Sequence, residues 1–443
     1  MLLNRVERGR YFDSVALMRA AQRIETLAGI ERAALMIGTP SNKALLREAG
    51  LLAPESEGAG ANDLIIAVRG AGAPAAIDGA LQFLAEKPLG ASLAAVRALH
   101  GALETLPDAN LALISVPGYF AAAEARAALQ RGLHVLVFSD NVPIEAEVEL
   151  KRFAATKNLL VMGPDCGTAL IAGTPIAFAN AVPRGSVGAV SASGTGLQEF
   201  SCLVARLGGG ISHGIGVGGR DLDERVGGLS TLAAIDALER DARTETIVVI
   251  SKPPASRVAT LIKERLRRSA KRSVVCFMGE STLRDAAEAA TGKKVGWPDR
   301  PRPAPVKGRV RGLYCGGTLA SEARKILGAR GECLDLGDDQ YTRGRPHPMI
   351  EPQLRNEHVR RALADRDVGV VLVDVVLGFG GHMDPASVLV TAIDSRKPVI
   401  ASVTGTDADP QHYSRQVSIL KSAGVVVAPS NAHAAELAAE LAA

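Results

Sequence analysis

A cluster of small polar residues lies between a predicted apolar strand and a predicted helix in the stretch VSASGTGLQEF, residues 190–200. Glycines at such a junction let an anion approach the backbone, and the free N–H groups of the helix start point toward it. The alternative is an ordinary N-cap, in which a Ser or Thr hydroxyl satisfies the helix itself. The stretch matches neither a Walker motif nor a GxSxG nucleophile turn. The residues predicted to hold the anion are Ser191, Ser193, Gly194, Thr195 and Gly196.

A second glycine-rich strand end, GIGVGGRDL, carries Gly218 and Gly219 just before Arg220 and Asp221. The guanidinium of Arg220 can bind a carboxylate or phosphate through two N–H groups, with Asp221 orienting it. The alternative is an Arg–Asp pair that only fixes a tight turn. Lys252, in the strand-end segment SKPP, offers one further cation.

Two other strand-end loops carry residues suited to nucleophilic or acid–base chemistry. The loop MGPDCGT contains Asp165 and Cys166, and this thiol is either a nucleophile at a helix start or a small buried side chain. The loop GGHMDP contains His382 and Asp384, which are candidates for proton transfer or substrate positioning. Because no HxH, HExxH or paired-carboxylate pattern occurs, we predict no metal site.

The order of the predicted elements brings these loops to one edge. From Asn110 onward, continuously apolar strands alternate with small polar loops and helices, which is typical of parallel sheets covered on both faces. Right-handed crossovers align the carboxyl ends of the strands, and ligands bind along that edge. Strand-end residues of the last third are therefore also candidates: Gly316, Gly317, Thr318, Thr404 and Thr406.

The composition also indicates an α/β protein, since 47% of the 443 residues are hydrophobic, 46 are glycine and only 3% are aromatic. We predict tandem doubly wound parallel-sheet units of the Rossmann or flavodoxin type, with a small N-terminal α/β domain. The predicted segments are an N-terminal domain 1–100, a partial Rossmann domain 101–184, a flavodoxin-like domain 185–290, a linker 291–308 and a second flavodoxin-like domain 309–443.

The net charge indicates which classes of partner to expect, and the cysteine content indicates the cellular compartment. The formal net charge of +4 gives no reason to expect nucleic acid or an anionic membrane as a partner. Five cysteines without a CxxC pair argue against a disulfide framework and fit a reducing cytosol. The charged N-terminus is no signal peptide, and no apolar run reaches the roughly 18 residues of a membrane span. We predict a cytoplasmic protein that acts on a small anionic substrate.

The strings MGPDCGT, SASGTGLQEF, ISHGIGVGGRDL, SKPP, GLYCGGTL and GFGGHMDPA together resemble the FdrA family of the succinyl-CoA synthetase-like, NDP-forming acyl-CoA synthetase superfamily. The resemblance covers nearly the whole chain from residue 11. It implies a succinyl-CoA synthetase-like fold in which the serine-rich loop 191–196 holds phosphate or an acyl phosphate. The tail of the chain resembles the ligase domain of the β subunits, whose own helix start faces the same site.

Two departures from synthetases change the expected chemistry. Their catalytic histidine lies in a Gly-His-Ala-Gly loop after the strand equivalent to 272–277, whereas this chain reads CFMGES. The Gly-Glu-Ile-Gly-Gly loop that pairs with that histidine is replaced by SKPP, and the first CoA-binding glycine fingerprint and an ATP-grasp domain are missing. We therefore expect no phosphohistidine step, no required cofactor and CoA only as an optional ligand.

The resemblance then implies carbamoyl or acyl transfer to or from phosphate, of the type in which oxalurate and phosphate give oxamate and carbamoyl phosphate. The predicted catalytic residues are Ser193, Arg220, Lys252 and His382. The predicted phosphate ligands are the 191–196 residues named above with Gly218, Gly219, Gly316, Gly317 and Thr318, and the predicted substrate ligands are Asp165, Cys166, Asp221, Asp384, Thr404 and Thr406. The alternatives are an acyl-CoA ligase subunit that needs a partner chain and a non-catalytic scaffold subunit. The resemblance also implies a homo-oligomer that works beside companion subunits.

Overall fold

The computed structural model describes residues 1–10, 12, 14–85, 98–300, 304–342, 346–394 and 396–442. Residue 11, residues 86–97 of the predicted N-terminal domain and residues 301–303 of the predicted linker lie outside this part of the chain. The chain forms two compact units. The smaller consists of Met1–Ala109, Ser115–Ala121 and Asp339–Pro346, and the larger of Asn110–Ile114, Ala122–Asp338 and His347–Ala443.

The smaller unit is built on a three-stranded antiparallel sheet in the order β1-β3-β2. Its strands are β1 (Leu2–Glu7), β2 (Ile30–Ile37) and β3 (Leu64–Gly70). Its helices are α1 (Ser14–Glu25), α2 (Pro40–Glu48), α3 (Ala73–Ala85), α4 (Leu99–Thr105) and α12 (Asp339–Thr342), with a 3-10 turn at Pro54–Ser56. The charged start of the chain forms the edge strand β1.

Side chains of β3 serve both faces of this sheet. Ile66 lies in a cluster with Ile24 of α1 and Ile77 of α3, whereas its neighbour Ile65 lies in a second cluster with Leu46 of α2. Successive side chains of a strand point to opposite faces, so an unbroken apolar strand requires cover on both.

The larger unit contains the remaining strands and most of the remaining helices. The strands are β4 (Leu111–Ile114), β5 (His134–Val137), β6 (Val161–Met162), β7 (Thr168–Ile171), β8 (Thr174–Ala177), β9 (Val187–Ser191), β10 (Ile211–Gly216), β11 (Thr246–Ser251), β12 (Arg272–Phe277), β13 (Arg309–Tyr314), β14 (Gly331–Asp335), β15 (Val368–Val376), β16 (Val399–Thr404) and β17 (Val426–Ala428). The remaining helices of the chain are α5 (Gly118–Gln130), α6 (Ile144–Thr156), α7 (Gly194–Arg206), α8 (Leu229–Arg240), α9 (Ser256–Arg267), α10 (Leu283–Thr291), α11 (Gly317–Leu327), α13 (Gln353–Ala364), α14 (Pro385–Val390), α15 (Tyr413–Ser422) and α16 (Asn431–Leu441).

These strands form three sheets, in the orders β4-β5-β6, β12-β11-β9-β10-β7-β8 and β14-β13-β15-β16-β17. The first and third sheets are wholly parallel, and β9 to β12 of the second are parallel too. Every residue of β9, β11, β15 and β16 is buried, which explains their continuous apolar sequences. The predicted α/β class with tandem doubly wound parallel sheets is confirmed.

One part of the second sheet differs from the prediction. The segment 168–177, assigned from sequence to a partial Rossmann domain, forms the antiparallel hairpin β7–β8, which extends the sheet beyond β10. The hairpin turn contains Ala172 and Gly173, both at positive φ. Alternating, weakly apolar residues over so short a segment do not reveal which sheet a hairpin will join. The other segment boundaries stay predictions.

A single apolar core joins the second and third sheets. It contains Phe200 of α7, Leu283 of α10, Leu319 of α11 and Leu437 of α16, each almost fully buried. Because α7 and α11 each follow a central strand and share this core, their N-termini are held in fixed places.

Candidate functional site

The first functional loop is the turn from β9 into α7. Ser193 is the N-cap, and its Oγ accepts a hydrogen bond from the Gly196 N–H at 2.9 Å. The Ser191 hydroxyl braces the turn, because it accepts from the Ser193 N–H at 3.1 Å and donates to the Ser193 carbonyl at 2.7 Å. Ser193 is therefore an N-cap, as the alternative interpretation predicted. The cap hydrogen bond comes from the Gly196 N–H and does not involve the N–H groups of Gly194 and Thr195.

The second functional loop is the turn from β13 into α11. Its N-cap is Gly316, and no side chain caps the helix. The carboxylate of Asp374 accepts from the N–H groups of Cys315 and Gly316, both at 2.8 Å, and so fixes the turn from behind. Arg355 pairs with Asp374 at 2.9 Å, and both side chains are fully buried. The N-terminus of α11 therefore carries a partial positive charge that no N-cap side chain offsets.

The N-termini of α7 and α11 meet. The hydroxyl oxygens of Ser193 and Thr318 lie 2.5 Å apart, across 125 residues of sequence. The glycines of each helix start also pack closely against a threonine side chain of the other. A Cβ on Gly316 would lie 3.1 Å from the Thr195 side chain, and one on Gly196 would lie 3.3 Å from the Thr318 methyl group. Each helix start carries a partial positive charge of about half an elementary charge, so the junction is an electropositive point that an anion would neutralise.

A cation and a carboxylate flank the start of α11. The Lys252 Nζ, after β11, lies 3.5 Å from where a Cβ of Gly317 would stand. The carboxylate of Asp335, at the end of β14, packs even closer to the same position, which only glycine can occupy. Burial raises the pKa of Asp335 to about 6, although the positive charge of Lys252 acts to lower it. These neighbours place one cationic and one titratable side chain beside the start of α11.

His347 lies on the far side of the Asp335 loop. Its ring borders Gly337, and its Nδ1 accepts from the Met349 N–H at 3.1 Å. Burial lowers the pKa of His347 to about 4, so the ring is neutral near pH 7 with its proton on Nε2. A neutral imidazole N–H is a hydrogen-bond donor but not a strong acid.

Asp335 and His347 were not among the predicted site residues. The signal for Asp335 was present, because the segment LDLGDD is a strand end followed by glycine, like the other loops. His347 follows no strand, so its approach to Gly337 depends on a chain path that the sequence does not reveal.

Several predicted residues lie at a neighbouring part of the edge, where the loops after β6 and β10 pack together. Gly218, at φ +85°, would bring a Cβ against the Pro164 carbonyl, and a Cβ on Gly219 would lie 3.8 Å from the Asp165 carboxylate. Asp165 is itself at positive φ and exposed. The phosphate role of the two glycines and the substrate role of Asp165 stay predictions.

The substrate role of Cys166 is not supported by its surroundings. The thiol is buried and donates toward the Thr168 carbonyl at 3.5 Å. Burial raises its pKa to about 12, so the reactive thiolate is not populated near neutrality. The buried-thiol interpretation is the correct one.

The prediction that Asp221 orients Arg220 is wrong. Arg220 pairs instead with Glu147 of α6 at 2.9 Å and donates to the Val142 carbonyl at 2.8 Å. Asp221 is completely buried, where it pairs with Lys151 at 2.7 Å and accepts from the first N–H groups of α8. The buried ammonium of Lys151 attracts the Asp221 carboxylate more strongly than the solvated guanidinium of Arg220 does. Both oxygens of this carboxylate are already used by protein partners. Asp221 therefore cannot bind substrate in this conformation.

The predicted residues of the third sheet serve mainly to fix loops. The His382 Nδ1 accepts from the Asp384 N–H at 3.0 Å, and burial lowers the pKa of His382. Asp384 caps α14 and pairs with Arg415 at 2.7 Å. The proposed proton-transfer role of His382 stays a prediction, whereas the carboxylate of Asp384 is committed to protein partners.

Thr404 and Thr406 are also committed to protein partners, which contradicts their predicted substrate role. The Thr404 hydroxyl donates to the buried Glu199 at 2.6 Å, and the Thr406 hydroxyl donates to the Ala181 carbonyl at 2.7 Å. Both bonds join the third sheet to elements of the second. They explain why the two sheets keep their helix starts together.

The resemblance to synthetases assigns their catalytic histidine to the loop after β12, and this correspondence stays a prediction. The loop reads Met278, Gly279, Glu280 and Ser281, and Glu280 pairs with Lys263 at 2.7 Å. A side chain that could carry a phosphoryl group on nitrogen is missing from this loop. In the part of the chain that the structure describes, no three His, Cys, Asp or Glu side chains are grouped as a metal site.

Two segments of the chain, one near each end, match known protein families. Residues 313–441 match a family described as CoA-ligase, and residues 1–95 match one described as AllF, heavy metal-associated domain. Residues 1–95 contain no Cys and no His.

Individual relatives cover different shares of the chain. The uncharacterized protein YahF of Escherichia coli K12 is 40% identical over 97% of this chain and 96% of its own length. The α subunit of ADP-forming succinate–CoA ligase from Aquifex aeolicus is 30% identical over 32% of this chain and 48% of that subunit. A dinucleotide-forming acetyl-coenzyme A synthetase from Ca. Korarchaeum cryptofilum is 19% identical over 75% of this chain and 82% of its own, with a TM-score of 0.33.

None of the helices in the described ranges combines the length and the apolar character needed to cross a membrane.

Proposed function

The chain belongs to the FdrA family of the succinyl-CoA synthetase-like superfamily, and on that premise we propose that it transfers a carbamoyl or acyl group to or from phosphate. The substrate pair that we favour is a ureido acid of the oxalurate type with phosphate, which gives an oxamate-type amide and carbamoyl phosphate. The observation that carries the proposal is the junction of two helix starts at Ser193 and Thr318.

This junction supplies what phosphoryl and acyl phosphate oxygens need. Backbone N–H groups of α7 and α11 are fixed before substrate arrives, so they would stabilise developing charge without reorganising, and the Lys252 ammonium lies beside Gly317. Two reactants held there would gain from proximity alone, which supplies about 7–11 kcal/mol in well-oriented reactions. Because the Met278–Ser281 loop offers no histidine, the group would pass directly between substrate and phosphate.

The test is ³¹P NMR of the full-length chain with oxalurate and phosphate, and in reverse with oxamate and carbamoyl phosphate. We expect a carbamoyl phosphate resonance that needs neither CoA nor a nucleotide. A purified chain that gives no transfer in either direction, with or without co-purified companion chains, would contradict the proposal.

A matched pair of capping variants locates the reaction. Ser193→Ala and Ser430→Ala each remove an N-cap hydroxyl that accepts from its own helix, at a cost of about 1 kcal/mol. Only Ser193 meets the second helix start. Transfer should therefore fall at least about tenfold in Ser193→Ala and remain unchanged in Ser430→Ala.

A second candidate is supported by the CoA-ligase match over residues 313–441 and by the similarity to succinate–CoA ligase α subunits. In this alternative the chain is an acyl-CoA ligase subunit whose partner brings the nucleotide site and the histidine. CoA-dependent release of ADP from ATP and an acyl substrate, seen only with the partner present, would favour this candidate over the first.

A further inference from the structure

We propose that Asp335 is the catalytic residue that moves the proton of the reacting amide nitrogen, an inference that rests on the proposed function. Breaking or forming a carbamoyl C–N bond requires a proton on that nitrogen, because an amide anion is a poor leaving group. The backbone N–H groups of the helix starts do not both give and accept a proton near neutral pH. The geometry around Gly317 points to Asp335 for this role.

Asp335 is placed at the helix start from a different strand. It ends β14, the edge strand beside β13, and its Oδ2 lies where it would clash with a Cβ on residue 317. Its Oδ1 accepts from the Gly337 N–H at 3.0 Å, which fixes the carboxyl group. One oxygen is therefore held by the loop, and the other is directed at the start of α11.

The charges around Asp335 leave its proton easy to gain and to lose. Burial and the neighbouring carboxylates of Asp374 and Asp338 raise its pKa to about 6, while Lys252 and the Gly337 N–H oppose the rise. The start of α11 also favours the charged form. A group with a pKa near the working pH serves as an acid in one direction and as a base in the other.

The other titratable groups nearby are less suitable. Asp374 is fully buried, and its oxygens accept from the Cys315 and Gly316 N–H groups and from Arg355, so they are already used by protein partners. Burial keeps the pKa of Cys315 far above neutrality. The proton on His347 Nε2 is not acidic near pH 7, so His347 can only donate a hydrogen bond.

The proposed step balances as follows. A phosphate oxygen bonds to the ureido carbonyl carbon, the C–N bond breaks, and its electron pair goes to the nitrogen, which takes the proton of Asp335. The Asp335 carboxylate then recovers a proton from the hydroxyl of the former hydrogen phosphate. The net change is transfer of that proton from phosphate to the amide. In reverse, Asp335 takes the amide proton as nitrogen attacks carbamoyl phosphate.

The experiment compares the full-length wild type with Asp335→Asn, with Glu332→Gln as the control on the same strand. Glu332 is exposed and lies 3.5 Å from Arg311, away from the helix start. The first readout is transfer measured by ³¹P NMR, where Asp335→Asn should lower the rate by about 10²- to 10⁴-fold and Glu332→Gln should not. Thermal unfolding of each variant checks that it folds.

The second readout needs no turnover and uses sulfate, a dianion that does not titrate in the range studied. Above a pH of about 6 the Asp335 carboxylate is charged and repels an anion at the helix start, so wild-type sulfate affinity should fall about tenfold or more by pH 8. In Asp335→Asn the affinity should be independent of pH over this range, because the titrating group is absent.

The outcomes separate the two proposals. A wild type that neither binds sulfate nor transfers a group overturns the proposed function and the role of Asp335 together. A wild type that binds or transfers, with Asp335→Asn keeping the same rate or the same pH dependence of binding, overturns only the role of Asp335. Loss of both the rate and the pH dependence in Asp335→Asn alone supports it.

Discussion

Replacement of Gly196 by alanine tests whether the two helix starts form one site. The added Cβ would lie 2.9 Å from the Ser193 Oγ and 3.3 Å from the Thr318 Cγ2. Ordinary contacts between carbon atoms are about 3.5–4.0 Å, so α7 and α11 have to separate by roughly half an ångström at their junction. The change therefore inserts one methyl group between the two hydroxyl residues.

Two opposing effects set the expected free energy of unfolding. Alanine is better than glycine within a helix by about 1 kcal/mol, whereas overpacking costs about 1–3 kcal/mol. Gly196→Ala should thus be neutral to destabilising by about 2 kcal/mol. The control is Gly79→Ala in α3, where the nearest atom to the new Cβ is a Phe83 ring carbon at 3.8 Å, and this variant should be stabilised.

The effect on anion binding should be larger than the effect on stability. Loss of one N–H contact to a charged ligand costs about 1.5–3 kcal/mol, which is about 10- to 100-fold in affinity. Titration calorimetry with sulfate on both variants measures it. If Gly196→Ala is stabilised like Gly79→Ala and binds sulfate as tightly as the wild type, the helix junction is not the anion site.

Two further predictions concern the core that holds the helix starts together. Burial raises the pKa of Glu322 in α11 to about 7 from its usual 4.5. Between these two pH values the unfolded chain binds fewer protons than the folded chain. The free energy of unfolding should therefore fall by about 3 kcal/mol as pH rises through this interval. Urea unfolding across this range should show the fall in the wild type and not in Glu322→Gln, and an equal slope in both would refute the assignment to Glu322. Asp374→Ala leaves the buried Arg355 without its counter-ion and should cost about 3–5 kcal/mol in urea unfolding. Asp394→Ala removes one partner of the solvent-exposed pair with Arg396 and should destabilise the chain far less than Asp374→Ala. Similar losses in the two variants would contradict the structural role of Asp374.

The strand-to-helix turns of the site were predictable because their signal is local. The sequence around Ser193 and around Gly317 combines an apolar strand, small residues and a helix start, and the structure has those elements. That the two turns meet follows from the family resemblance, and the Ser193–Thr318 contact confirms it. Periodicity alone does not say which sheets pack together.

The side-chain partners were not predictable for the opposite reason. Arg220 and Asp221 are adjacent in sequence, yet they pair with Glu147 and Lys151 of α6, about 70 residues earlier. Thr404 likewise bonds to Glu199, 205 residues away. Such contacts depend on how the sheets and helices pack against each other. The buried ion pair of Asp221 with Lys151 is a stronger interaction than a pair with the more exposed neighbour Arg220 would be.

The most direct test of an anion site at the junction of the α7 and α11 N-termini is a crystal structure of the full-length chain with phosphonoacetamide, an unreactive analogue of carbamoyl phosphate. The account predicts density for its phosphonate at the starts of α7 and α11, with oxygens on the N–H groups after Ser193 and Gly316 and on Lys252, and with the carboxamide toward Asp335. An empty junction with the analogue bound elsewhere, for example at Arg220, would contradict it.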